Sequence, residues 1–167
     1  MSTDPRTPRA PLALSLVRAR LEAADAADAL RTLAGHLLDD GAVTEAFPEA
    51  LQAREQRYPT GLPTPIPTAI PHADPEHVLV QGLALATLAR PVAFGEMGAG
   101  GGQVPVQLLA MPLLTDAREH LAALQRLMAL LQDEQAVAAL LEAEDAETLR
   151  ARAEALLGRA EDEEELA

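Results

Sequence analysis

The chain has 167 residues, 49% of them hydrophobic and only 2% aromatic, and carries a formal net charge of -13. That length and apolar share suit one globular domain with a core of Leu, Ala and Val, while the acidity and the shortage of aromatics exclude a nucleic-acid surface, which needs clustered cations or stacking platforms. All 13 cations are arginine and no cysteine is present, which removes Schiff-base lysines, the lysine of a phosphate loop, disulfides, thiolate catalysis and cysteine-bound zinc.

The start, MSTDPRTPRAP, is polar and proline-bearing, and residues 1–10 read as a disordered lead. It has no signal-peptide core, and no apolar run reaches spanning length, so a soluble cytoplasmic protein without membrane insertion is expected. From Leu12 to Leu21 the pattern fits a strand with Val17, Ala19 and Leu21 on one side and Arg18 and Arg20 on the other; a helix is the alternative. A helix is predicted from about Asp25, with Leu30, Leu33, Ala34, Leu37 and Leu38 as its stripe, ending at Asp39-Asp40-Gly41. His36 within it reads as a surface or half-buried residue. A second helix opens at Thr44 or Phe47 and runs to about Tyr58. Phe47, Ala50, Leu51, Arg54 and Tyr58 share one of its faces. Arg54 therefore either snorkels along the core or reaches a site beside it.

Prolines at 59, 63, 65, 67 and 71 argue against helix and central strand and favour a stiff extended path. At its end His72 is held between Pro71 and an Ala-Asp-Pro turn, the placement of greatest chemical interest in the chain. His72, Asp74 and His77 offer metal-donor types, but no third strong ligand is local, so no metal is expected. The run from Val78 to Leu88 reads as a strand covered on both faces, Pro91 to Gly95 as another short strand, and EMGAGGGQ as a flexible connection with no phosphate-binding pattern. Val106 to Met111 is the second buried strand, with Pro105 and Pro112 fixing its ends. Asp116 and Glu119 form a capping-box pattern opening a helix with Leu121, Leu124, Leu127, Met128 and Leu131 as the buried stripe. Two helices follow near Asp133 to Ala143 and Asp145 to Leu157, then the acidic residues 158–167 as a solvated tail. The fold class expected is α/β, a mixed β-sheet flanked by helices on both faces, as one domain over 11–157.

The ordered blocks YPTG, AIPHAD, EHV, PVAFG and AREHLAALQRLMALLQD resemble the enzyme IIA domain of the bacterial sugar phosphotransferase system, in its fructose–mannitol superfamily (PTS EIIA type-2). The resemblance spans roughly residues 15 to 157 and is nearest the galactitol-type branch, where an aromatic residue, Pro, Thr and Gly precede A-I-P-H. It implies a phosphohistidine carrier. His72 would accept phosphate from the phosphocarrier protein HPr and pass it to an enzyme IIB component. Arg54 and Glu55 match the family's R-E pair, and His120 its second histidine. Arg54 would stabilise the moving phosphoryl group, and neither a metal nor a nucleotide cofactor is required. Where many relatives have a glycine-rich run before A-I-P-H, this chain has Leu62 to Thr68 with three prolines, implying a stiffer loop. A regulatory phosphoprotein of the nitrogen-type branch is the alternative use of the same histidine, and a metal hydrolase built on His72, Asp74 and His77 a third.

Overall fold

The structure is a computed structural model. It describes the backbone of residues 13–98, 100–116 and 118–166, and the side chains of these residues except Glu119 and 159–166. The predicted lead, 1–10, lies outside the described residues.

Leu14–Leu21 forms β1, and Asp25, whose carboxylate accepts the Asp28 N–H, caps helix α1 over Ala26–Asp39. Gly41 ends α1 in the left-handed region at φ 73°, and the Gly41 and Ala42 amides return to the Leu38 and Leu37 carbonyls. Helix α2 is Phe47–Arg57, with Pro48 in its first turn. The proline-rich stretch then contributes two short strands, β2 Gly61–Leu62 and β3 Thr68–Ala69. Strand β4 is Gly82–Gly95 and β5 is Gln103–Leu113, joined as a hairpin; α3 (Leu121–Gln132), α4 (Glu134–Leu141) and α5 (Ala146–Leu166) complete the chain.

Among the described residues the sheet has five strands in the order β1-β4-β5-β3-β2, with β1 parallel to β4, β5 antiparallel to β4, and β3 parallel to β5. The expected mixed sheet between helical layers is what forms. Strand alternation sorts the core: Ala84, Ala86, Leu109 and Met111 pack with Leu30, Leu33, Leu37, Phe47 and Leu51 of α1 and α2. Leu83, Leu85, Leu108 and Ala110 face Leu127, Leu131, Val137, Leu140 and Leu149 of α3 to α5.

Several local expectations change. In β1, Val17 and Ala19 lie on the α3–α5 side, but Leu21 packs on the opposite side with Leu16. The cause is an irregularity after Arg18, where Arg20 takes φ 55° and its amide bonds the Thr87 hydroxyl, so the alternation slips by one. The two strands read at Val78 to Leu88 and Pro91 to Gly95 are one strand, β4, interrupted by a register shift across exposed Ala89, Arg90 and Pro91. That strand starts only at Gly82, with Leu79 and Val80 exposed. Strand β5 runs through both prolines expected to end it. Pro112 stands opposite Leu83, whose N–H points the other way to the Ala13 carbonyl, so that pair needs no donor from proline.

Helix α3 begins at Leu121 rather than Asp116. Asp116 instead accepts the Arg118 amide ahead of a single 3-10 turn, Arg118–His120, and the Glu119 side chain of the predicted capping box lies outside the described residues. Its stripe is Arg126, Leu127, Leu130 and Leu131, while Leu121 is exposed. The backbone of α5 continues to Leu166, beyond the Leu157 end and through most of the stretch read as a tail, in keeping with the helix propensity of Glu, Leu and Ala there.

Candidate functional site

Thr60 and Gly61 of the YPTG block set the geometry. The Glu55 carboxylate, in the last turns of α2, accepts the Thr60 N–H at 3.0 Å and the Thr60 hydroxyl at 2.8 Å, which fixes the chain as it leaves the helix. Gly61 then lies against the far end of the β4–β5 hairpin, where its carbonyl accepts the Met97 N–H at 2.8 Å. A Cβ at Gly61 would come 2.5 Å from the Gly95 carbonyl oxygen and 2.6 Å from Val104 Cγ2, and one at Gly95 would come 2.8 Å from Pro59. Gly61 is therefore required by close approach to the Gly95 backbone, and Gly95 by the Pro59 ring packed against it. Gly61→Ala is expected to lower stability by about 1–3 kcal/mol, the usual cost of overpacking, read as a fall in the urea midpoint; an unchanged midpoint would mean the hairpin yields freely.

Burial raises the Glu55 carboxyl pKa above the ordinary carboxylate value, with the Thr60 amide and hydroxyl pulling the other way. A raised folded-state pKa means the folded protein holds this proton more tightly than the unfolded chain. The resulting stabilisation is present below the ordinary value of 4.5 and is lost as pH rises through the folded pKa. Glu55→Gln removes this dependence, so its stability relative to wild type should improve as pH rises from about 4 to 7. Denaturant midpoints across that range test it, and a constant offset would contradict it.

Arg54 and His72 line one open cavity of about 730 Å³ together with Arg57, Tyr58 and the glycine-rich turn that joins β4 to β5. The Ile70 N–H donates to the Thr60 carbonyl at 3.2 Å, tying the His72 loop to the YPTG turn. His72 Nδ1 lies 2.9 Å from the Ile70 carbonyl oxygen. A carbonyl only accepts, so Nδ1 carries a hydrogen, and in the neutral ring the lone pair is on Nε2.

Arg54 donates from Nη1 to Asp74 Oδ1 at 2.8 Å, its Nε is buried without a partner, and its guanidinium carbon sits 5.7 Å from the Tyr58 ring centroid. Arg57 approaches the same ring at 5.5 Å. Arg54 lines the cavity that also holds His72. The half-exposed guanidinium suits an oxyanion, since its donors match phosphoryl oxygens.

His120 has hydrogen-bond partners of its own. Its Nε2 bonds Gln81 Oε1 at 2.7 Å, in a small network with the Thr115 hydroxyl, and it is not among the residues lining the cavity. His36 meets the Arg18 guanidinium at 3.0 Å, and His77 lies 3.7 Å from the Glu76 carboxylate. Among the described residues no three His, Asp or Glu side chains come together as a metal site.

Two parts of the site escaped sequence reasoning. The glycine-rich connection was expected to be only a link, yet Gly98, Gly100, Gly101 and Gly102 form one wall of the cavity. Asp74 was weighed only as a metal donor, whereas it is the partner of Arg54. For the first, the available signal was a second pair of strands flanking the run, which makes it a hairpin tip. For the second there was none, because 20 residues separate the pair.

Comparison with known proteins follows the same lines. The family profile described as "Phosphoenolpyruvate-dependent sugar phosphotransferase system, EIIA 2" matches residues 11–154. No curated protein matches. Among solved structures, the chain is similar to the mannitol-specific cryptic phosphotransferase enzyme IIA CmtB from Escherichia coli, at 27% identity and TM-score 0.65 over 87% of this chain and 92% of that one. It is also similar to the nitrogen regulatory protein IIA-Ntr from Neisseria meningitidis, at 26% identity and TM-score 0.64 over 82% and 91%. The same fold occurs in the Escherichia coli enzyme IIAMTL, solved in complex with phosphorylated enzyme IIBMTL, at 23% identity and TM-score 0.66 over 86% and 94%. With its profile match running from before β1 into α5, and with the fold shared throughout, the chain belongs to the EIIA 2 family of the phosphoenolpyruvate-dependent sugar phosphotransferase system.

Proposed function

We propose that this protein is a phosphohistidine carrier in which His72 takes a phosphoryl group from HPr and passes it to an enzyme IIB component during uptake of a sugar or sugar alcohol. The observation that carries this reading is the Nδ1–Ile70 carbonyl bond, which holds the imidazole in the tautomer with a nucleophilic Nε2, in a cavity it shares with Arg54. The step balances without a free proton. The Nε2 lone pair forms a bond to phosphorus as the donor's N–P bond breaks, and the donor imidazole leaves with that electron pair. His72 then carries its Nδ1 proton and the phosphoryl group, and the donor returns to neutral imidazole. Such a transfer needs in-line placement and charge stabilisation more than covalent machinery.

In this reading Arg54 stabilises the moving phosphoryl oxygens, Glu55 holds the turn that positions the His72 loop, and His120 assists transfer from its place at the start of α3. The enzyme IIB partner is supported by the solved Escherichia coli complex of enzyme IIAMTL with phosphorylated enzyme IIBMTL. A cytoplasmic location follows from those partners. A galactitol-like substrate rests on the YPTG wording before A-I-P-H. The similarity to IIA-Ntr favours one second reading, a regulatory phosphoprotein acting through protein partners.

The test is incubation with phosphoenolpyruvate, enzyme I and HPr, followed by intact-mass analysis and then by addition of separate IIB domains. One acid-labile phosphate that a IIB domain removes supports the carrier. A phosphate that no IIB domain removes would move the regulatory reading ahead. No phosphate on folded protein, with HPr charged, would remove both.

A further inference from the structure

The Arg54–Asp74 pair joins a residue of the cavity to a loop position two residues after His72. Arg54 gives Nη1 to Asp74 at 2.8 Å and leaves Nε buried and unpartnered, so the guanidinium is half engaged. The Asp74 side chain is 59% exposed and that of Arg54 35%. Asp74 can therefore release its partner into water, whereas Arg54 keeps its buried Nε and its place over the Tyr58 ring. Pro71 and Pro75 bracket the turn, and Asp74 sits in extended backbone at φ -63°, ψ 151°, with its carbonyl accepting the His77 N–H. The carboxylate is thus presented by a stiff frame, not by a loose loop.

Resting on the carrier reading above, we propose that Asp74 is a placeholder anion: it holds Arg54 while His72 is empty and yields the guanidinium to the phosphoryl group once His72 is charged. A carboxylate and a phosphoryl group offer the same kind of oxygen to a guanidinium, and one Arg54 serves both poorly at once. No covalent bond changes in the exchange. The Nη1–Asp74 hydrogen bond is replaced by one to a phosphoryl oxygen, and the carboxylate becomes hydrated. Asp74 is a positioning residue in this scheme. Its consequence is thermodynamic, because a displaced negative charge beside phospho-His72 raises the free energy of the charged form and favours handing the phosphate on.

The experiment equilibrates wild type, Asp74→Asn, Asp74→Ser and Asp74→Glu with mixtures of phosphorylated and free HPr, reading the phosphorylated fraction by intact mass at low and high salt. Removing the charge should shift the equilibrium about fivefold toward the phosphorylated protein, the scale of one half-exposed ion pair. Asp74→Ser should move the same way, Asp74→Glu should lie near wild type, and the difference should shrink with salt. Equal or smaller phosphorylated fractions in both uncharged variants, with wild type labelled normally, would overturn the placeholder while leaving the carrier reading intact. No phosphate on any of the proteins would overturn the carrier reading and the placeholder with it.

Discussion

His72→Ala is expected to take up no phosphate from charged HPr, while wild type gains one acid-labile group, read by intact mass after identical incubation. The effect is total because the substituted atom is the nucleophile: with Nδ1 protonated against the Ile70 carbonyl, Nε2 is the position left to attack phosphorus. The fold should survive. His72 lies in a loop, half-buried, and its ring bonds the Ile70 carbonyl two residues back, so the loss of stability should be about 1 kcal/mol. A cooperative thermal transition lowered by only about 2–4 °C, with no label, places the defect in chemistry. Undiminished labelling of His72→Ala would move the nucleophile to another histidine, and His120 would be examined first.

Arg54→Lys should slow phosphoryl uptake about 100-fold, the usual cost of removing one well-placed donor to a developing oxyanion. The charge is kept, so a large loss isolates geometry. Lysine presents a compact ammonium where arginine presents a planar fork with Nη1 on Asp74 and its Nε buried behind. It would also lose most of the contact with the Tyr58 ring. Rapid-quench rates with excess charged HPr measure this directly. A variant within a factor of about 3 of wild type would show that any cation at this position suffices.

Much of the layered fold was legible in the sequence for a physical reason: burial on both faces leaves long apolar runs, and the apolar stripes of α1 and α2 have helical spacing. Asp25 and Gly41 marked the ends of α1 through local hydrogen bonding and a left-handed backbone, both properties of neighbouring residues. What misled was local evidence taken as decisive where pairing decides. Pro105 and Pro112 are strand breakers in isolation, yet β5 runs through both, and at Pro112 the partner Leu83 turns its N–H to Ala13 and asks for no donor. Leu21 changed faces because one residue, Arg20, slipped the alternation.

The candidate site divides in the same way. His72 stood out by its own neighbours, Pro71 and Ala-Asp-Pro, and Arg54 by the face of α2 it shares with Phe47 and Leu51. Those are short-range facts, carried by backbone restriction and helical period, and neighbouring residues suffice to set them. The tertiary structure decided which of them meet. It brought the β4–β5 hairpin tip against the Pro59-Thr60-Gly61 turn, set Asp74 on Arg54, and kept His120 with Gln81 outside the cavity. These contacts join residues far apart in the chain. They depend on the packing of whole elements and on Gly61 and Gly95, which leave room for the Gly95 carbonyl and the Pro59 ring, and no window of sequence contains that.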